Sequence, residues 1–377
     1  KRVSPLPDIE NRKEFVHRKF EDRMKEFGKG IKERQEKALK LCKPGTTIGD
    51  LDAAARSFIK DNEGVLAAGQ RYANVVDLRR QVCHVRALRP GALSDAVYAR
   101  VERVLRAMDT SDGAGVSLTR IIGQPSLPRL DPFLMLDFFG SDNPGEYIAG
   151  FPAHPHRGFQ TVTYMLAGKM RHRDSVGNEG VIEAGGIQWM NAGRGIIHEE
   201  MPEQEEGLLQ GFQLWVNLPA KEKMSAPNYQ DIQPDSVPTV QIQNASVKVL
   251  AGEVDGVKGP VKTTAVAPTF LDIDLKSGQC DIALKSNEAA FLYIYEGNIT
   301  VGKGDQAQKT MLESGELGVL SQQGTRLSFS SEKGSKIIVV SGKPINEPVV
   351  QYGPFVMNSQ QEIVQAFNDY QSGVLAK

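Results

Sequence analysis

Phe151-Pro-Ala-His-Pro-His-Arg-Gly-Phe159 and Gly193-Arg-Gly-Ile-Ile-His-Glu-Glu200 are the stretches from which the architecture of this chain is read. Each carries two metal-ligating side chains at a spacing of two, His154 with His156 and His198 with Glu200. Residues i and i+2 of a β-strand project to the same side, so both pairs point into one interior if the stretches are strands. Four ligands from two strands can then meet at one ion. Three imidazoles and one carboxylate form a borderline-to-hard donor set with positions left open on a metal taking five or six ligands. That favours Fe(II) over structural zinc and keeps Mn, Ni, Co and Cu as competitors. Glycines flank the second stretch, at Gly185-Gly186 and at Gly193 and Gly195, and no cysteine lies near either.

The surroundings read as β. From Val116 onward the chain is a series of short β-branched or aromatic runs divided by Gly, Pro, Asn and Asp, the pattern of a barrel or sandwich. It also repeats itself. Tyr164-Met-Leu-Ala-Gly168 slides onto Ile294-Tyr-Glu-Gly297 by 129 positions, and Glu183-Ala-Gly-Gly onto Glu313-Ser-Gly-Glu by 130, which implies two barrels of one design. The slides carry His154 and His156 to Ala283 and Lys285, and His198 and Glu200 to Ser328 and Ser330. No histidine follows His198, so the second barrel is expected to hold no metal. Ser359-Gln-Gln-Glu362 before Ile363, Val364 and Phe367 is a capping box that predicts a closing helix.

His154-Pro-His-Arg-Gly-Phe-Gln-Thr-Val-Thr-Tyr164, Gly186-Ile-Gln-Trp-Met-Asn-Ala-Gly-Arg-Gly-Ile-Ile-His-Glu-Glu-Met-Pro202 and Leu130-Asp-Pro-Phe-Leu-Met-Leu-Asp137 closely resemble the pirin family of the cupin superfamily. The likeness runs from about residue 115 to the C-terminus. It implies a mainly β fold of two tandem cupin barrels, the N-terminal one holding a single Fe(II)/Fe(III) ion, with other divalent metals as alternatives. The family's ligands fall on His154, His156, His198 and Glu200. Where cupins usually carry Glu this chain has Gln160, which is not one of the four ligands in pirins; the exchange removes a charge near the site and alters proton handling or ligand orientation, or Gln160 simply bonds a neighbour.

The net charge of −1 over 377 residues conceals an asymmetry. Residues 1–112 hold 24 Lys+Arg against 17 Asp+Glu, a net of +7, and the remainder 21 against 29, a net of −8. The first 112 residues read as a basic helical extension, with helices over about 8–42, over 51–60 and over 96–108, where Val97, Val101, Val104 and Leu105 share a helical face. Ser111 to Gly115 reads as a flexible joint, and the barrels are expected over 113–235 and 236–377. Such an arm fits a protein partner, a multi-subunit assembly or nucleic acid, and equally a solvated helix laced with ion pairs. There is no apolar run of membrane-spanning length. Three scattered cysteines point to an intracellular, reducing compartment. The resemblance makes that compartment cytoplasmic or nuclear, or mitochondrial if Lys1 follows a removed targeting segment.

Three classes of function follow. The resemblance implies a quercetinase-type dioxygenase acting on a flavonol-like molecule, with Glu200 as ligand and proton acceptor. It equally implies a redox-sensing co-regulator whose iron state sets partner affinity. The extra residues before the body admit a structural subunit anchored in a larger particle. Trp189 and Trp215 read as core aromatics or a pocket lining, Arg157 and Arg194 as substrate-drawing cations or turn-packing residues, and His17, His84 and His172 as surface residues.

Overall fold

A computed structural model describes residues 97–262, 266–303 and 309–377. The helices expected over 8–42 and 51–60 lie outside these residues, as does the rest of the arm up to residue 96. The first half runs through β1 (Val101–Arg106), β2 (Met108–Asp112), β3 (Val116–Ile122), β4 (Phe133–Ser141), β5 (Phe151–His156), β6 (Phe159–Ala167), β7 (Lys169–Asp174), β8 (Glu179–Glu183), β9 (Ile187–Asn191), β10 (Ile196–Pro202), β11 (Leu209–Asn217) and β12 (Asn228–Ile232). The second continues with β13 (Thr239–Ile242), β14 (Ala245–Ala251), β15 (Glu253–Val254), β16 (Val257–Lys258), β17 (Thr269–Leu275), β18 (Gly278–Ala283), β19 (Ala289–Val301) and β20 (Thr310–Glu313). It closes with β21 (Glu316–Leu320), β22 (Arg326–Ser331), β23 (Ser335–Gly342), β24 (Val350–Tyr352), β25 (Phe355–Met357) and the helix α1 (Gln360–Gln371).

These strands make two barrels. The first combines the sheet β12-β9-β6-β11-β4-β3-β2 with the sheet β5-β10-β7-β8. The second is built on the order β1-β21-β19-β23-β17-β14-β13, with β18, β20 and β22 completing it. Strand alternation divides the side chains between two cores. In β19, Ala290, Leu292 and Ile294 pack inside the second barrel, whereas Phe291 and Tyr293 join Val162, Tyr164, Phe212 and Leu214 of the first barrel between the two. Buried on both faces, the middle of β19 reads as an unbroken apolar run. Phe133 meets Phe291 edge to face at 5.3 Å across the interface. Tyr164 and Tyr295 donate to the two oxygens of Asp272 at 2.6 and 2.5 Å, and burial holds that carboxyl above the usual carboxylate range. No helix among the described residues is long and apolar enough to cross a membrane.

Three expectations need correction. Residues 101–106 form a strand, not a helix: Arg103 pairs with Val319 and Leu105 with Leu317, so an open edge on β21 overrides a spacing that suited either structure. Ser111 to Gly115 is no joint: Ser111 and Asp112 end β2, paired with Ser117 and Val116, and Gly113 to Gly115 make the tight turn of the β2–β3 hairpin. Gly113 has φ +59° there, and a Cβ on it would stand 2.6 Å from the Phe151 ring. The slide of 130 puts Ser328 in the place of His198, and Ser328 pairs with Asp281 as His198 pairs with His154. The counterpart of His154 is therefore Asp281, not Ala283, because the connection from β18 to β19 is longer than that from β5 to β6.

The barrels exchange their ends. β1 precedes the first barrel yet pairs into the second, and the C-terminal segment returns to the first. Val356 N–H donates to Arg157 O at 3.0 Å, and the Arg157 guanidinium meets Asp369 of α1 at 2.7 Å. α1 is capped as its sequence predicts, with Ser359 Oγ accepting from Glu362 N–H at 3.3 Å. Lys223, 1% exposed, fastens this junction: its Nζ donates to Gly158 O, Asn217 Oδ1 and Val356 O at 2.7, 2.7 and 2.9 Å.

Burial pulls the Lys223 ammonium down to about 8 from 10.5. Between those values the folded chain binds fewer protons than the unfolded one, so this group's contribution to stability rises with pH across that window. Lys223→Met leaves three buried acceptors without their donor and should cost about 2–4 kcal/mol in denaturant unfolding. Its unfolding free energy should also lose the extra rise above pH 8 that the parent shows.

Candidate metal centre

The centre is built on the pairing of β5 with β10. His198 lies directly opposite His154, and Ile196 opposite His156. Between His198 and Glu200 the register shifts, with Pro152 and Ala153 set against the single residue Glu199. This bulge bends β5 and turns the Pro152 carbonyl onto the His154 ring, whose Nδ1 lies 2.8 Å from it. A carbonyl only accepts, so Nδ1 carries the hydrogen and His154 Nε2 presents its lone pair.

Three imidazoles converge. Ring centroids stand 4.6 Å apart for His154 and His156, 4.4 Å for His154 and His198, and 4.9 Å for His156 and His198. One nitrogen from each ring falls within a set whose members all lie within 4.8 Å of one another. His154 Nε2 and His156 Nε2 are 3.0 Å apart, the separation of two ligands at right angles on a metal with bonds of about 2.1 Å. His198 Nε2 is buried without a hydrogen-bond partner among the described residues. Phe159 and Trp215 pack edge-on against His156 at 5.0 and 5.2 Å and fix its ring. An unpartnered buried nitrogen on His198 and a lone pair on His154 Nε2 aimed at His156 Nε2 fit a cation bound among these rings.

Electrostatics agree. Burial pushes His156 and His198 well below the ordinary imidazole range, assisted by the neighbouring histidines. Both rings are thus uncharged at neutral pH, the form that binds a metal. His154 is partly exposed while the other two are buried, so the cluster is approached from the His154 side.

Glu200 is buried on β10 beyond the compact set of nitrogens. Thr163 Oγ1 stands 2.7 Å from Glu200 Oε1, and Gln213 Nε2 donates to Glu200 Oε2 at 3.3 Å. Each oxygen keeps a further lone pair for a cation or a proton. Gln160 is buried in β6 opposite Asn191. Trp189 belongs to the core between the barrels. Arg157 is buried against Asp369, whereas Arg194 is exposed with its Nε 3.4 Å from Lys377 O.

His172, expected on the surface, is 2% exposed and its Nδ1 lies 3.4 Å from His198 Nδ1. A signal was there: Met170, His172 and Asp174 alternate along β7, and all three are buried.

The lowered His156 and His198 values fix a sign. Below the unfolded pKa near 6.5 the unfolded chain binds protons that the metal-free folded chain refuses, so stability falls as pH falls through that value. Denaturation of metal-free protein should show stability decreasing from about pH 6.5 to 5, with a shallower slope in His198→Phe.

Comparison with known proteins agrees with this geometry. Residues 115–216 match the family model described as Pirin, and residues 270–376 the model described as Pirin C-terminal cupin domain. A Pseudomonas aeruginosa protein named "putative quercetin 2,3-dioxygenase" is 51% identical over 272 residues, covering 71% of this chain and 94% of that protein. Human pirin is 40% identical over 268 residues, covering 70% of this chain and 89% of pirin. A crystal structure of quercetin 2,3-dioxygenase from Acinetobacter baumannii, 32% identical, aligns with a TM-score of 0.68 over 74% of this chain and 99% of that one. Two family models in tandem and relatives matched over most of their length show that this chain belongs to the pirin family.

Proposed function

We propose that the protein is a mononuclear iron dioxygenase of quercetinase type, with His154, His156, His198 and Glu200 as the iron ligands. The observation that carries the reading is the convergence of three imidazoles, one with a buried unpartnered Nε2. The similarity to proteins named for quercetin dioxygenation supplies the substrate class. Fe(II) bound there supplies a Lewis-acidic, oxygen-activating centre with coordination positions left open.

Glu200 has the second role of accepting the proton of the substrate's hydroxyl. Its network has a place for that proton. Thr163 Oγ1 stands 2.7 Å from Glu200 Oε1 and 2.6 Å from Gln213 Oε1, and its single hydrogen serves one of these acceptors. A hydrogen on Glu200 Oε1, donated to Thr163 Oγ1, completes the set. Trp215 beside His156 offers an aromatic wall for a planar substrate.

A second reading, redox sensing without turnover, draws on the contact from Arg157, next to His156, to Asp369 on α1. Through it a change of charge at the iron reaches a segment with exposed Tyr352, Val364 and Tyr370.

Iron-loaded protein should consume oxygen when given quercetin. His154→Ala and His198→Ala should each weaken iron binding by at least about 100-fold and abolish uptake. Iron bound without uptake transfers the weight to sensing, checked by partner affinity for the ferrous and ferric forms. Iron bound equally by parent and His198→Ala removes the metal assignment.

A further inference from the structure

The contact between His198 and His172 sets which nitrogen of His198 is available. β7 pairs with β10 so that His172 stands opposite Glu200 and Asp174 opposite His198. Across that pairing the two rings lie 5.2 Å apart at 45°, with the Nδ1 atoms 3.4 Å from each other. The outer face of His172 packs on Tyr229 at 4.6 Å. Two uncharged rings meeting Nδ1 to Nδ1 are attractive only when one nitrogen carries hydrogen and the other a lone pair. If His172 donates, the hydrogen of His198 sits on Nε2 and blocks the nitrogen that faces the cluster. If His198 donates, its Nε2 lone pair is free.

We propose that His172 is a positioning residue for the metal centre: its Nδ1 accepts the Nδ1 hydrogen of His198 and so presents His198 Nε2 toward His154 and His156. The inference rests on the metal reading above. For His154 the equivalent acceptor is the Pro152 carbonyl, a backbone group that no substitution removes. For His198 it is a side chain, so its contribution can be deleted without touching a ligand. Groups in this outer position commonly change metal affinity by about 10- to 100-fold.

The test uses the full chain stripped of metal. Cobalt(II) is titrated against a competing chelator into the parent, His172→Phe and His172→Gln. Phe keeps the stacking on Tyr229 but has no acceptor; Gln offers Oε1 to His198 Nδ1. Expected are a loss of about 10- to 100-fold for Phe with a shifted cobalt absorption spectrum, recovery to within a few-fold for Gln, and matched melting of all three metal-free proteins. Unchanged affinity and spectrum in His172→Phe overturns the proposal, and so does equal weakening by Phe and Gln, which marks a packing role. Nitrogen-15 NMR of the metal-free parent needs no variant: hydrogen on His198 Nδ1 supports the proposal and hydrogen on Nε2 overturns it. A parent that binds no cobalt sinks the metal reading, while the tautomer still decides the hydrogen bond.

Discussion

The register of β5 against β10 is the constraint on which the site depends. Side chains directly opposed in an antiparallel pair stand about 4.5–5.5 Å apart at Cβ, near enough for the His154 and His198 rings to share one ion. A slip of one residue would turn every member of the set to the other face. The turns that hold this register demand glycine. Gly195 has φ +147°, and a Cβ on it would stand 2.3 Å from Leu375 O. At Gly158, two residues after His156, a Cβ would stand 2.0 Å from Val356 O. Both glycines admit the C-terminal segment, so the register and the exchange of ends are one arrangement.

The first barrel carries a polar interior and is packed from outside. Three imidazoles, Glu200, Thr163 and Gln213 occupy space that apolar side chains would fill in an ordinary barrel. Stability is drawn instead from the face turned toward the second barrel, where Val162, Tyr164, Phe212 and Leu214 are fully buried. Alternation along β6 assigns Tyr164 to that interface and Thr163 to the site, so packing and chemistry sit on opposite sides of one strand.

Local pattern made the cluster legible and distance in sequence hid the rest. His154 with His156 and His198 with Glu200 declare a shared face because two-residue spacing is a property of the strand itself. The capping box at Ser359 was readable for the same reason, since its hydrogen bonds close within four residues. His172 escaped because its partner, His198, is 26 residues away and is met only through the β7–β10 register. β1 escaped because Val101, Val104 and Leu105 fit helical spacing locally, while the edge that claims them belongs to β21. The hydrogen bonds of Glu200 to Thr163 and Gln213 depend on β6 and β11, which its own stretch does not encode.

The second barrel shows what the same pairing does with other side chains. Asp281 stands where His154 stands in the first, opposite Ser328 in the place of His198. A buried carboxylate needs a countercharge, and Lys303 Nζ supplies it at 2.5 Å while also donating to Tyr98 OH at 2.8 Å. Gln279 Nε2 donates to Asp281 Oδ1 at 2.9 Å and lies 3.2 Å from Ser328 Oγ. Burial pushes the Asp281 carboxyl up, but hydrogen bonds from Lys303, Ser328 and Gln279 together outweigh it and hold Asp281 below the usual carboxylate range. In the first barrel imidazoles stand at the corresponding positions, with His198 Nε2 buried and unpartnered, and His154 opens toward solvent. The two barrels share a pairing and differ in what occupies it: a carboxylate answered by a lysine in one, converging imidazole nitrogens in the other.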